Sequence, residues 1–264
     1  MRFSKGIRNM KLCVIIPCFD HADFVSNAVG SALRQADDVH VIVVNDGSRD
    51  HSHEVLAQYA WIEPRLNVIE QAHKGAAAAR NAGLEALPPD CDLVAFLDSD
   101  DVFCPGYLAA IPAQFEKNDA LRFTFGRIRL VDGLDYVSGQ PTRTARRREL
   151  YAPYLGAAVF RRGFVDRLGQ FDTEFVQGED VDYLLRAFEQ SARFDQSATV
   201  CVNFLRHGRN RSINASAARR GFLLALQKSV ARRRKDAKLH IPRPPFAMRP
   251  LAETTFDNKV SRTP

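Results

Sequence analysis

Apolar residues fall in short unbroken runs through the first hundred positions, each closed by polar or turn residues. Leu12-Cys13-Val14-Ile15-Ile16-Pro17 is one such run, Val39-His40-Val41-Ile42-Val43-Val44 a second, Leu66-Asn67-Val68-Ile69 a third and Leu93-Val94-Ala95-Phe96-Leu97 a fourth. Continuous β-branched and aliphatic runs of this length predict strands buried on both faces. Between them lie segments with helical spacing: Asp23 to Leu33, with Phe24, Ala28, Val29 and Ala32 on one side; Ser52 to Tyr59; and the Ala-rich Ala76 to Leu87. Strand and helix alternate four times, which predicts an α/β domain with an open, mainly parallel sheet covered by helices. Ligands in such sheets sit at the carboxyl ends of the strands. The polar clusters fall there: Asp20 and His21, Asn45 and Asp46, His73 and Lys74, Asp98 to Asp101.

The second half is less regular. Leu121 to Val131 and Gly156 to Phe160 read as strands, and Val137 to Arg148 as a basic loop. Glu179 to Gln190 predicts a helix with Val181, Leu184, Leu185 and Phe188 on its apolar side. Ala215 to Arg234 predicts a second, with Phe222, Leu223, Leu226 and Val230 on one broad face. Prolines at 242, 244 and 245 then forbid regular structure, and the last twenty or so residues read as an irregular tail. The division expected is an α/β domain over 11–212, an amphipathic basic helical extension over 213–241 and the tail over 242–264.

Charge changes this picture at one end. The whole chain carries +6, but Arg206 to Arg249 holds thirteen Lys/Arg against the single acid Asp236, so the rest is about −6. A tail this basic points to an anionic partner: a membrane surface, a nucleic acid or a phosphorylated substrate. Nucleic-acid binding through Arg232-Arg233-Arg234-Lys235 is the weaker of these, and peripheral contact with a membrane is preferred. A helix packed on the α/β domain is an equally good account of the same residues. No apolar run approaches the ~20 residues of a membrane span. The basic N-terminus precedes only a strand-length apolar run, too short for a secretory signal, so a cytoplasmic protein is expected. Five scattered cysteines with no CxxC argue against a disulfide framework or a zinc site.

Three carboxylates in four residues, Asp98, Asp100 and Asp101, repel one another beside a buried strand, and a divalent cation would relieve the repulsion. Mn²⁺ and Mg²⁺ take oxygen ligands, often one or two carboxylates plus substrate phosphates. A solvated turn with Asp as a helix cap is the plain alternative. Asp46 could meet a base or ribose, or simply close its turn. Lys74-Gly75 opens a helix whose N-terminus favours anions, but no GxxxxGK[ST] and no GxGxxG is present. Glu179 and Asp180 begin a helix whose dipole favours acids; one of the pair is a candidate general base. Arg206 to Ser212 is a cationic cluster after a strand, fit to clamp a diphosphate or to begin the basic tail.

Together these segments resemble a family-two glycosyltransferase of the GT-A fold, from about Lys11 to Ser212. Val14 to Asp20 is similar to the family's opening strand ending in Pro-x-Tyr-Asn, and Val43 to Asp50 to its Val-Asp-Asp-Gly-Ser-x-Asp turn. Gly75 to Gly83 resembles its Gly-x-x-x-Ala-Arg-Asn-x-Gly helix start. Phe96 to Asp101 resembles its Asp-x-Asp metal motif, and Gly178-Glu179-Asp180 its acceptor-side Glu-Asp. The resemblance implies a Rossmann-like mixed sheet, a nucleotide-sugar donor and inverting transfer. By it, Asp46 would bind the base, Asp98 the ribose and metal-bound diphosphate, and Asp100 the Mn²⁺ or Mg²⁺. Asp180 would deprotonate the acceptor with support from Glu179, and His207 and Arg211 would lie near the diphosphate. Pro17, Asp20, Lys74, Gly75, Arg80 and Ser99 would complete the donor site. The chain departs from the pattern at Cys18, at Asp20 for Asn, and at Asn45 for the first Asp of its pair. UDP-sugars are the favoured donors, and a glycan or lipid-linked molecule in cell-surface polysaccharide synthesis the expected acceptor. A sugar nucleotidyltransferase shares the sheet and acidic site but needs a basic Gly-rich loop where Cys18-Phe19-Asp20-His21 stands. A non-catalytic binding protein of the same fold would not need Asp98, Asp100 and Asp180 together.

Overall fold

The structure, a computed structural model, describes residues 10–190, 193–210 and 214–241, with Phe246, Thr254 and Phe256. Arg211 and nearly all of the expected tail lie outside these residues. In chain order the strands are β1 (Leu12–Cys18), β2 (Val39–Asn45), β3 (Leu66–Glu70), β4 (Leu93–Phe96), β5 (Val102–Phe103), β6 (Phe123–Val131), β7 (Leu134–Asp135), β8 (Gln140–Pro141), β9 (Arg147–Leu150), β10 (Ala158–Arg161) and β11 (Phe194–Leu205). The helices are α1 (Val25–Leu33), α2 (Ser52–Ile62), α3 (Ala76–Glu85), α4 (Ile111–Lys117), α5 (Arg162–Leu168), α6 (Glu179–Gln190) and α7 (Ala215–Lys235).

The first four strands pair in parallel in the order β3-β2-β1-β4, and the sheet continues through β10, β6, β11 and β5. Beyond β4 only β6 and β11 run parallel; β10 is antiparallel to both its neighbours, and β5 and β9 pair antiparallel at the far side. The sheet is therefore mixed, parallel in the half whose strand ends carry the acidic residues. β1 lies between β2 and β4, and Leu12 to Ile16 are all buried, as a strand flanked on both faces requires. α3 lies close on β1 because Gly83 has no side chain: a Cβ there would stand 2.5 Å from Ile15 Cγ2.

Two expectations change. The segment expected to be a basic loop over 137–148 contains β8 and leads into β9, which pairs with β6 through Arg147 to Leu150. The face of α7 is also turned. Gly221, Phe222, Ala225 and Ser229 are buried, and Phe222 and Ala225 pack with Phe175, Val181 and Leu185 of the α6 region. Leu223 and Val230, expected on the apolar face, are exposed. No helix among the described residues is long and apolar enough to cross a membrane.

Candidate active site

The acidic turn follows β4 directly. Its three carboxylates have three environments. Asp101 is almost wholly buried, and it accepts hydrogen bonds from the Leu205 amide, 2.9 Å, and from the Tyr154 hydroxyl. Burial, then the charges of Asp100 and Asp98, push its carboxyl well above the usual range. It ties the turn after β4 to β11.

Asp100 accepts at Oδ2 from His207 Nε2 and Asn210 Nδ2, each at 3.0 Å. Burial alone would raise its carboxyl, but the His207 hydrogen bond and the field of His21 and His207 outweigh it and hold the group below its ordinary value. His207 Nδ1 accepts from the Arg209 amide at 3.2 Å, so the tautomer assigned here carries its proton on Nε2, toward Asp100. Asp98 accepts at Oδ1 from Arg80 at 2.7 Å and keeps 37% of its side chain open. Burial pushes it upward, and Asp100 and Glu179 add to that against Arg80. Ser99 is buried, and its hydroxyl lies 2.7 Å from His21 Nδ1.

The neighbouring turns close around this one. Asp20 is the only non-glycine with positive φ among the described residues, at 53°. Asn and Asp tolerate the left-handed region best, so the replacement of the family's Asn by Asp keeps the turn. Asp20 accepts from the Arg49 amide at 2.6 Å, tying the turn after β1 to the turn after β2. Asn45 donates to Glu70 at 2.8 Å and accepts from the Ser48 hydroxyl at 2.5 Å. A carboxylate at 45 would face Glu70 with like charge, which explains the departure to Asn. Cys18 is buried, its thiol pushed up to about 11 chiefly by that burial. Pro17, one residue before it, pairs with Val44 on β2 and helps end β1.

Asp46 is buried and its carboxylate is already engaged. It accepts from the amides of Lys74, 2.8 Å, and Gly75, 2.7 Å, and from Gln71 Nε2, 2.6 Å; His73 Nδ1 lies 2.9 Å away. The anion at the start of α3 is thus the chain's own Asp46, and its visible task is to hold the 71–75 loop.

Across from the acidic turn, Glu179 and Asp180 open α6. Arg80, reaching from α3, is buried and donates to Glu179 at 2.8 Å and Asp98 at 2.7 Å. It lies 5.6 Å over the Phe171 ring. Burial would lower its pKa, but Asp98, Glu179 and Asp180 raise it above the ordinary arginine value. The side chain therefore stays charged and bridges the two acidic motifs. Asn81 locks Phe171 beneath it, donating to its carbonyl at 2.9 Å and accepting from its amide at 2.7 Å. Asp180 is half-buried, and burial, then the charge of Glu179, push its carboxyl up to about 7 against the pull of Arg80. A group near neutrality is well matched to taking and giving a proton at physiological pH.

The structure thus brings together Asp98, Ser99, Asp100, His207, Arg80, Glu179 and Asp180. Asp20, Asp46, Lys74 and Gly75 hold the adjoining turns. Sequence reasoning missed Asn210, Tyr154, Asn81 and Phe24, whose ring stacks on His207 at 4.5 Å. Asn210 and Phe24 stood inside segments already singled out; Tyr154 had no local signal.

A parallel βαβ half with an acidic turn at its strand ends, joined to a mixed half carrying a second carboxylate pair, defines the GT-A class of folds. A Pyrobaculum calidifontis mannosyltransferase, PcManGT, in complex with GDP-Man and Mn²⁺, superposes with a TM-score of 0.63 at 19% identity, covering 89% of this chain and 67% of that one. Staphylococcus aureus TarS in complex with UDP-GlcNAc gives 0.61 at 17% identity, covering 86% and 73%. Residues 13–166 match the family model Glycosyl transferase family 2, and the chain belongs to that family. It is 32% identical over 203 residues to the succinoglycan biosynthesis protein ExoU of Rhizobium meliloti, covering 69% of this chain and 58% of ExoU. It is 27% identical over 229 residues to the chondroitin synthase of Pasteurella multocida, covering 84% of this chain and 23% of that one. The chain spans 39%, 58% and 56% of the first three curated relatives it matches.

Proposed function

We propose that the chain transfers a sugar from a nucleoside-diphosphate donor, in the first instance a UDP-sugar, to a hydroxyl of a glycan or lipid-linked acceptor, with inversion at the anomeric carbon. The observation that carries this reading is Asp180, poised near neutrality at the start of α6 beside Glu179, which Arg80 ties to the donor-side Asp98. In the reaction Asp180 accepts the proton of the acceptor hydroxyl. The freed oxygen lone pair forms the new bond to the anomeric carbon while the bond to the diphosphate oxygen breaks. The diphosphate departs with the electron pair and needs no proton. Arg80 aligns Glu179 and fixes Asp98 at the donor end through its two ion pairs. The names of ExoU and the chondroitin synthase favour polysaccharide synthesis as the setting.

The residues present fit a divalent ion. Asp98 and Asp100 each have one oxygen outside the hydrogen bonds described, both hard ligands. No group of three or more ligating side chains gathers among the described residues, so the remaining positions would fall to diphosphate oxygens and water, the habit of Mg²⁺. Bound there, Mn²⁺ or Mg²⁺ would neutralise charge gathering on the departing diphosphate. A panel of UDP-glucose, UDP-galactose, UDP-GlcNAc and GDP-mannose will include one that raises the Tm with Mn²⁺ and not with EDTA. Silence across the panel would undo the reading.

Peripheral contact with the cytoplasmic face of a membrane belongs to the same proposal. The outer face of α7 presents Leu223 and Val230 between Arg220 and Arg234, all exposed, a pattern suited to an anionic bilayer. The five cysteines are all buried thiols, which suits a reducing compartment. Full-length protein will sediment with vesicles containing phosphatidylglycerol, and the double substitution Leu223→Glu, Val230→Glu will weaken this. Unaltered sedimentation would remove α7 as the contact.

A further inference from the structure

We infer that Gly221 of α7 is a positioning residue for Asp180, its bare backbone forming the seat on which the Gln177–Gly178 turn rests. The inference builds on the assignment of Asp180 as the base. Glycine inside a helix costs about 1 kcal/mol against alanine, so its presence at position 221, in a helix of twenty-one residues, calls for a packing reason. The structure supplies one. A Cβ at 221 would stand 1.9 Å from the carbonyl oxygen of Gln177, 2.6 Å from its carbonyl carbon and 3.3 Å from the Gly178 amide.

The contact is reciprocal. A Cβ at Gly178 would stand 2.7 Å from the carbonyl carbon of Gly221. Gly178 has φ of 94°, a conformation open to glycine, and its carbonyl accepts the first hydrogen bond of α6, from the Asp182 amide at 3.0 Å. Gly178 is therefore the residue from which α6 starts, and Asp180 stands two residues on, in the first turn. Whatever moves the 177–178 backbone moves Asp180 relative to Arg80.

α7 itself has little room to give way. Phe222 and Ala225 are packed with Phe175, Val181 and Leu185. One and two turns further along, Lys228 pairs with Asp172 and Glu174, and Arg232 pairs with Asp182 and Glu189 at 2.7 Å each. A methyl group at 221 would accordingly displace the turn rather than the helix. The basic extension thus reaches the site through backbone contact, a role separate from any charge it presents outward.

The test uses full-length protein, hydrolysis of the responding nucleotide-sugar in Mn²⁺, and the dependence of kcat on pH. Gly221→Ala should lower kcat by about tenfold or more, leave KM for the donor within about twofold, and shift the acid limb of the pH profile. Gly163→Ala, at a position whose added Cβ meets nothing within 4 Å, should match wild type in all three. Should Gly221→Ala not fold, Lys228→Ala decides: loosening the α7 clamp should lower kcat by a few-fold and shift the same limb. A folded Gly221→Ala with the wild-type kcat and limb overturns the inference, as does an unaltered Lys228→Ala where the first variant is lost. Asp180→Asn separates the two ideas. If it retains wild-type hydrolysis, the base assignment has failed; if it is inactive while Gly221→Ala is not, only the seat has failed.

Discussion

Asp180→Asn will lose about 100- to 10,000-fold in transfer, the range general-base catalysis contributes, with donor affinity unchanged. The substitution keeps shape and removes only the capacity to take a proton. In the wild type the base must be ionised, and its carboxyl is pushed up to about 7 by burial and by Glu179. Activity will therefore rise with pH through about 7, and the variant will lack that limb. The stability sign is opposite. A carboxyl raised from 3.8 contributes stability that is fully present below its unfolded pKa and is lost as pH rises through about 7. Asn at 180 carries no charge to bury, so the variant will be more stable than wild type at pH 8 and similar to it near pH 4. Thermal unfolding at the two pH values, beside initial rates from pH 5 to 9, reads both effects. A variant that is slow but keeps the limb near 7 would assign that titration to another group.

Arg80→Met will cost about 3–5 kcal/mol of folding stability, the usual consequence of removing one partner from a buried ion pair. Arg80 is the shared partner of Glu179 and Asp98, and both pairs lie within 2.8 Å. Without it, three carboxylates face one another with Phe171 beneath in place of a cation. The deficit will be larger at pH 8 than at pH 5, because the carboxylates can take up protons at the lower pH. Urea unfolding at both values measures it. An equal deficit at the two, or one under about 1 kcal/mol, would show that Arg80 does not carry the charge balance of the site. Methionine retains the bulk over Phe171, so packing loss stays small.

The parallel half was readable because a strand buried on both faces leaves an uninterrupted apolar run; β1 and β2 emerged within one residue of their expected ends. The mixed half was not. β11 begins Phe194-Asp195-Gln196-Ser197, which has the look of a loop, because only its last five residues are buried. β9 hid in an arginine-rich stretch because it pairs with β6 alone and leaves Arg147 and Glu149 exposed. In the site, motif residues were found but their long-range partners were not. Asp101 looked like its neighbours until Tyr154 and Leu205, 53 and 104 positions away, were folded against it. Asp46 had two readings, and of these the turn-closing one is visible in its bonds to the 71–75 loop. α7 had the right period and the wrong phase by about a quarter turn. Its small residues, Gly221, Ala225 and Ser229, mark the contact that its large ones were expected to make.

The seating of α7 against α6 also bears on how such chains can be recombined. By sequence the boundary near 212 invites grafting one relative's basic tail onto another's catalytic domain. Yet Arg232 and Lys228 find their carboxylates on or beside α6, and Gly221 finds its partner in the residue where that helix starts. A viable chimera would have to exchange the stretch from Asp172 through Lys235 as one inherited cassette, leaving the donor half behind.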